Sequence, residues 1–359
     1  MSQDGLTDDE INLYTHRDPV DETYLYTYHL DAIDLESRLP LDVGRHDAAF
    51  GSGLGSLDLL PRELLIKMLE MLDIPSLTTF RAVSRHAMQT VNSLYEYGVV
   101  SKRCPNVLRA IIALDARAYG IRTLFETLAE TLCRWCRYEF GGLIHLYTCE
   151  RTCESCASYH TNSPLRIQEA ARVTGLSHEK VQESYPSILS LPGYYGAKLP
   201  EVGDMITVQE RLLLFDSLAL YGRSPANSKL FGSDSIMKDL LEVLPDNDVQ
   251  NSRYMGLISA PYLEEAPHEK EKLVANWGYY CAACRCRGES VLQKFTRRGF
   301  VQHLLEEGRI IWERKNVSQD EWEILDVPAV VATGHVHRDL RSEGYRAKHE
   351  DYQVQVDPD

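Results

Sequence analysis

Between Leu59 and Tyr95 the chain reads LLPRELLIKMLEMLDIPSLTTFRAVSRHAMQTVNSLY, a stretch that leaves little choice of fold. Pro61 suits a first helical position, where its missing N–H is not needed. Glu63 then sets a negative charge against the positive end of the helix dipole. Leu60, Leu64, Leu65, Met68, Leu69 and Leu72 recur with the spacing of one broad apolar stripe. Pro75 disfavours helix at the residue before it, and Ser76 can cap a second helix carrying Leu77, Phe80 and Val83. A third helix is expected to place Met88, Val91 and Tyr95 on one face. Three short helices bury little surface alone, so the unit is expected to need a partner.

This order of residues resembles the F-box. The resemblance is carried by Leu60-Pro61, Glu63-Leu64-Leu65, Met68-Leu69, Leu72, Leu77, Phe80-Arg81, Val83 and Ser84-Arg85. Ala87 stands where the family often has Trp. The resemblance implies docking onto the small adaptor subunit of a cullin-based (SCF-type) ubiquitin ligase and, through it, onto a cullin. It puts partner-facing and bundle-core contacts on Leu60, Pro61, Leu64, Leu65, Met68, Leu72, Leu77, Phe80 and Val83.

The net charge of −15 over 359 residues argues against a broad nucleic-acid surface, which needs clustered Lys and Arg. No apolar run approaches the roughly 18 residues of a membrane span, and the acidic start has no basic-then-apolar leader pattern. Nine cysteines, several in CxxC pairs, in such a chain point to metal ligands and a reducing compartment, cytoplasm or nucleus. Residues 1–50 hold twelve Asp/Glu against three Arg, so this region is expected to be disordered. Within it, alternating Tyr24, Tyr26 and Tyr28 hint at a short strand or docking peptide. Gly51–Gly55 is expected to be a hinge.

Helices are expected after Pro105 (Val107, Leu108, Ile111) and after Gly120 (Leu124, Leu128, Leu132). Then come Cys133-x-x-Cys136 and Cys153-x-x-Cys156, with sixteen residues between the pairs. Gly141-Gly142 and Leu143–Tyr147 suggest a turn and strand between them. Two thiolate pairs flanking a hairpin are the ligand arrangement of a structural zinc ribbon. The preferred quartet is Cys133, Cys136, Cys153 and Cys156, with Cys149 as substitute and His160 as a further candidate. Inert thiols and a redox pair are the competing readings, although no thioredoxin-like strand–helix setting surrounds the cysteines. A weaker second site combines Cys281, Cys284, His303 and Glu307, with Cys286 as a rival ligand. A joint site drawing on both clusters also satisfies the spacing. Cys104 is expected to be a buried small hydrophobe.

The first cysteine run, Leu191–Tyr194, Pro261-Tyr262 and Cys281-x-x-Cys284 are similar to a group of filamentous-fungal F-box proteins with a cysteine-bearing domain after the F-box. That group implies a substrate receptor. Residues 164–183 have helix-turn-helix spacing at Ala171, Gly175 and Val181, but the second helix offers Glu179 and Glu183 where DNA readers place basic residues, so a structural turn is expected. Residues 207–221 are expected to be one apolar helix, Pro225–Ser235 a loop, Ile236–Leu244 a helix, 255–262 a strand and 264–271 a charged loop. His335 and His337 lie in a charged tail.

The expected fold is therefore mainly α (α+β): a disordered region at 1–50, an F-box at 51–100, a mostly helical cysteine-rich substrate domain at 101–325, and a disordered tail at 326–359. No GxSxG, Walker loop or HExxH is present. The expected function is a non-catalytic substrate receptor holding structural zinc, with an adaptor subunit and an unidentified protein substrate as partners and neither membrane nor nucleic acid. The alternative is a zinc-stabilised transcription-associated protein or a scaffold acting outside the ligase.

Overall fold

A computed structural model of the chain describes residues 53–160, 164–198, 206–208, 210–223, 255–266, 269–287, 293–314 and 345–350. Near the N-terminus it describes 11–12, 14–16, 26–28, 30, 35–39 and 41. The loop and helix expected over 225–244, and His335 and His337, lie outside these residues.

The N-terminal region is not uniformly without structure. Strand β1 (Thr15–His16) pairs antiparallel with residues 280–281, and β2 (Tyr26–Tyr28) with residues 196–198. Helix α1 (Leu35–Arg38) follows. Ile11, Leu30 and Leu35 are buried, so a few apolar side chains anchor an otherwise acidic segment. Gly55 opens a 3-10 turn (Gly55–Leu59) where a hinge was expected.

Six helices then run in succession: α2 (Arg62–Glu70), α3 (Ile74–Arg81), α4 (Arg85–Asn92), α5 (Tyr95–Arg103), α6 (Pro105–Ala113) and α7 (Ile121–Ala129). Pro61 is the residue before α2 and not its first turn. The cap of α3 is Asp73, whose carboxylate accepts from the Ser76 backbone N–H at 2.8 Å and from the Ser76 hydroxyl at 2.8 Å. Pro75 sits inside the first turn, where its missing N–H costs nothing. Ser84 caps α4 by accepting from Ala87 N–H at 3.1 Å. That helix ends at Asn92, so Tyr95 starts the next helix and is exposed, apart from buried Met88 and Val91.

The first three of these helices do not stand as a separate bundle. Leu69, Ile74, Leu77 and Val91 share one core with Val100, Leu108, Ile111, Leu114, Leu124 and Leu128. The surface that three helices leave uncovered is closed by the next three. The same core continues into Ile144, Leu146, Tyr147, Met255 and Ile258.

Beyond α7 the chain is mixed and no longer mostly helical as expected. Strands β3 (Leu143–His145) and β4 (Glu150–Thr152) form a hairpin in register Leu143↔Thr152, Ile144↔Arg151, His145↔Glu150, and α8 (Glu154–His160) follows. Next come β5 (Leu165–Arg166), α9 (Ile167–Thr174), α10 (His178–Ser184), β6 (Ser187–Leu189), β7 (Gly193–Lys198), β8 (Ile206–Val208), β9 (Leu213–Phe215) and α11 (Ser217–Arg223). In the sheet of this region β9 lies between β5 and β6. The two helices of the expected turn pack on it around Leu165, Ala170, Val181, Phe215 and Leu220. Gly175 ends α9 with φ +69°, a left-handed conformation that suits glycine.

The single helix expected over 207–221 is instead strand, strand, helix. Leu213–Phe215 is bonded on both edges, and the Asp216 carboxylate accepts from the backbone N–H groups of Leu218 and Ala219. The helix can start only after that cap.

The remaining elements are β10 (Leu257–Ser259), β11 (Tyr262–Ala266), β12 (Glu269–Asn276), β13 (Tyr279–Cys281), α12 (Ala282–Arg287), β14 (Lys294–Phe295), α13 (Arg297–Glu307), β15 (Arg309–Arg314) and β16 (Tyr345–Glu350). Strand β10 adds to the free edge of β3. The charged loop expected over 264–271 belongs to the β11–β12 hairpin. Its Glu264 is held by the Tyr262 hydroxyl at 2.8 Å and the Asn276 amide at 2.7 Å. Strand β16 pairs with β15 inside the region expected to be a disordered tail.

Candidate metal centres

The first cysteine pair sits in a tight turn after α7. Cys133 N–H bonds to Glu139 C=O at 2.8 Å, Arg137 N–H to Cys133 C=O at 3.0 Å, and Gly141 N–H to Thr131 C=O at 2.8 Å. Arg137 takes φ +65° so that the turn can close. The second pair follows β4, and there the Cys156 backbone N–H points at Cys153 Sγ, 3.3 Å away. Folding the hairpin therefore brings Cys133, Cys136, Cys153 and Cys156 together, with every ligand atom within 4.8 Å of the others. Cys136 Sγ and Cys153 Sγ are 4.0 Å apart. A tetrahedral ion with metal–sulfur bonds of ~2.3 Å sets its sulfurs about 3.8 Å apart, so the quartet fits such an ion.

Electrostatics agree with that fit. Cys133 is pushed below the usual thiol range by hydrogen bonding from Cys153, while the same contact pushes Cys153 up. Burial pushes Cys156 up to about 12. A bound metal would stabilise the thiolate forms and release their protons.

Cys149 is not part of this group. It lies in the hairpin turn with φ +57°, buried, with its sulfur 3.6 Å from the Thr127 hydroxyl, and burial pushes its thiol up to about 12. The turn points it into the helical core, away from the knuckles. Cys104 is likewise buried, with its thiol pushed up to about 12. The His160 side chain is outside the described set.

The second group brings together Cys281, at the end of β13, Cys284 on α12 and His303 on α13, again within 4.8 Å. Cys284 Sγ and His303 Nε2 are 3.3 Å apart, close to the ~3.6 Å of a tetrahedral sulfur–nitrogen pair on zinc. The His303 ring stacks on Phe295 with centroids 4.6 Å apart, which fixes its plane. Hydrogen bonding to Cys284, and then burial, push the Cys281 thiol up. Glu307, the expected fourth ligand, is outside this group. It lines a neighbouring cavity of about 560 Å3 together with Glu306, Cys284 and His303. The Cys286 side chain is outside the described set. Among the described residues two separate groups form, and neither draws ligands from the other cluster.

Arg151 was not singled out by the sequence, because nothing in its local pattern distinguishes it from a surface strand residue. It is 1% exposed. Its guanidinium donates to the carbonyls of Thr127 (2.8 Å), Leu128 (3.2 Å), Gly141, Ala260 and Pro261. Two of these belong to the last turn of α7, whose carbonyls lack intrahelical partners and where a cation also meets the negative end of the helix dipole. Burial lowers its pKa to about 10, which leaves it charged at neutral pH. One side chain thus ties α7, the first knuckle and the β10–β11 corner together.

The F-box-like residues divide into two sets. Leu65 and Leu77 are buried in the core, with Leu72 and Phe80 packed against it. Leu60 is half-buried and Pro61 exposed. Leu64 (49%), Met68 (47%) and Val83 (72%) are exposed, and so are Leu59 (86%) and Met71 (85%), which the residue pattern had not singled out. Leu59 lies before α2, in the 3-10 turn, and Met71 caps the C-terminal end of α2, both off the stripe that the periodic spacing picks out.

Comparison with known protein families, with curated proteins and with solved structures finds no match to this chain.

Proposed function

We propose that the chain is a non-catalytic substrate receptor of an SCF-type ubiquitin ligase, with residues 59–83 meeting the adaptor subunit and the metal-held part of the chain presenting substrate. The observation that supports this reading is the row Leu64 and Met68 on the outer side of α2 and Met71 at its C-cap, with Leu65 and Leu69 of the same helix buried beneath. Large apolar side chains grouped on an exposed face are a mark of protein docking. Catalysis under this reading is proximity: the receptor raises the local concentration of a substrate lysine near a ubiquitin thioester. Zinc is the proposed ion at both centres, because it is a tetrahedral, thiolate-binding ion and contributes folding energy directly.

Tagged full-length chain is used to capture proteins from a fungal lysate, beside a Leu64→Ala/Met68→Ala version, with adaptor and cullin probed. The proposal expects both with the wild type and a large loss with the variant. Adaptor without cullin would favour a scaffold outside the ligase. Neither protein with either version would sink the proposal.

A further inference from the structure

We propose that the cavity between the two cysteine groups receives a Lys- or Arg-bearing segment of a bound protein. Its volume of about 560 Å3 falls in the ~300–1,000 Å3 range of ligand sites. The walls come from two stretches that the cysteines hold: Tyr138, Glu139 and Phe140 from the first knuckle, and Phe295, Glu306 and Glu307 beside the second group. Three carboxylates line the space against one ammonium, that of Lys294, a surplus of two negative charges. Lys294 is drawn to the Tyr280 ring, with its nitrogen 5.0 Å from the ring centre. Glu306 accepts from the Gln302 amide at 2.8 Å. A carboxylate offers about four acceptor sites, so most of its capacity is left for a ligand.

Charge is only half of the argument. Tyr138 is 73% exposed at the mouth of the cavity although it is a large aromatic residue in a tight turn. An aromatic face beside carboxylates is the chemistry that selects a cationic side chain with an apolar stem. The knuckle turn carries one wall and the α13 helix the other, so the cavity depends on both cysteine groups holding their shape. This inference names the substrate class for the receptor proposed above. It rests on that reading for its biological meaning, while its test does not pass through the adaptor.

Fluorescence anisotropy of the full-length, zinc-loaded chain is measured with a labelled Gly/Ser peptide carrying four Lys and Arg residues, and with the same peptide carrying Glu instead. Binding of the basic peptide alone is expected. Glu306→Gln/Glu307→Gln should weaken it at least about tenfold, as for lost charge-assisted hydrogen bonds. A charge-matched pair on the exposed face of α10, Glu179→Gln/Glu183→Gln, should change it less than about twofold, since exposed distant charges are screened. Tyr138→Ala, on the opposite wall, should weaken it several-fold with zinc content unchanged. No binding of the basic peptide, or equal loss in the two charge-matched variants, overturns the proposal. If the glutamate variant loses zinc, wild-type affinity in Tyr138→Ala overturns it.

Discussion

The helices before residue 130 and the cysteine knuckles after it solve the problem of burial differently. The six helices bury aliphatic side chains at helical spacing, and Leu69, Ile74, Leu77, Val91, Leu108, Ile111 and Leu124 form a continuous core. At the first knuckle the buried cluster is Cys133, Cys153 and Cys156, with Cys136 packed on it. At the second it is built on Cys281, Cys284 and two alanines, with Phe300, Tyr279, Ile11 and Ile310. A core of aliphatic groups is stable through removal of apolar area from water. The thiols of the first knuckle offer little such area, and a shared ion would supply the stability that apolar burial does not. The lesson is that one chain can use two sources of stability, and that these should respond to different perturbations.

Removing metal should separate the two regions most strongly. Structural zinc in small peptides is worth an apparent ~10–16 kcal/mol, so a chelator should abolish hydrogen-exchange protection over residues 131–141, 153–160 and 279–307 while the 62–129 helices and the β3–β4 hairpin packed on them keep theirs. Uniform loss of protection would break the comparison. In the same sample, iodoacetamide should label the knuckle cysteines only after chelation. Cys104 and Cys149, buried and with thiols pushed up to about 12, should stay unlabelled until the chain unfolds.

Arg151→Met attacks the side chain that joins the two regions. It leaves five carbonyls without their donor, and about 3–5 kcal/mol of stability should be lost in denaturant titration. A loss below about 1 kcal/mol would mean that the bonds contribute nothing net.

Leu77→Ala against Leu64→Ala sharpens the contrast within the helices. Leu77 is 0% exposed, and its truncation should cost about 2–5 kcal/mol. Leu64, exposed, should change stability by less than about 0.5 kcal/mol. Similar costs at both positions would contradict the division between core and face. The smallest expected effect is Ser84→Ala, which removes the α4 cap and should cost about 1 kcal/mol.

The helical region was largely legible in the sequence because its signals are local. Proline, caps and a 3.6-residue apolar period placed α2, α3, α6 and α7, although Asp73 and not Ser76 caps α3 and α7 ends at Ala129, short of Leu132. The four-cysteine group was legible for a similar reason, since CxxC spacing carries its own geometry. What failed was whatever depends on distant partners. Leu213–Phe215 looks helical until two strands from elsewhere bond to it. Thr15–His16 pairs with Tyr280 and Cys281, and Tyr345–Glu350 with Arg309–Arg314, and no local pattern announces either. Cys149 shares the composition of a ligand, but the hairpin turn aims it at Thr127. Arg151 finds its acceptors only where three separate segments converge.

The central claim is that a docking face on an aliphatic core, which runs from the six helices into the β3–β4 hairpin, does not depend on the metal proposed for the cysteine groups. Binding of purified SCF adaptor to the full-length chain, with and without zinc, tests it most directly. The account predicts that zinc removal changes adaptor affinity by less than about tenfold, or ~1.4 kcal/mol, whereas Leu64→Ala/Met68→Ala weakens it more than that. Adaptor binding that needs zinc, or that survives the double substitution unchanged, would contradict it.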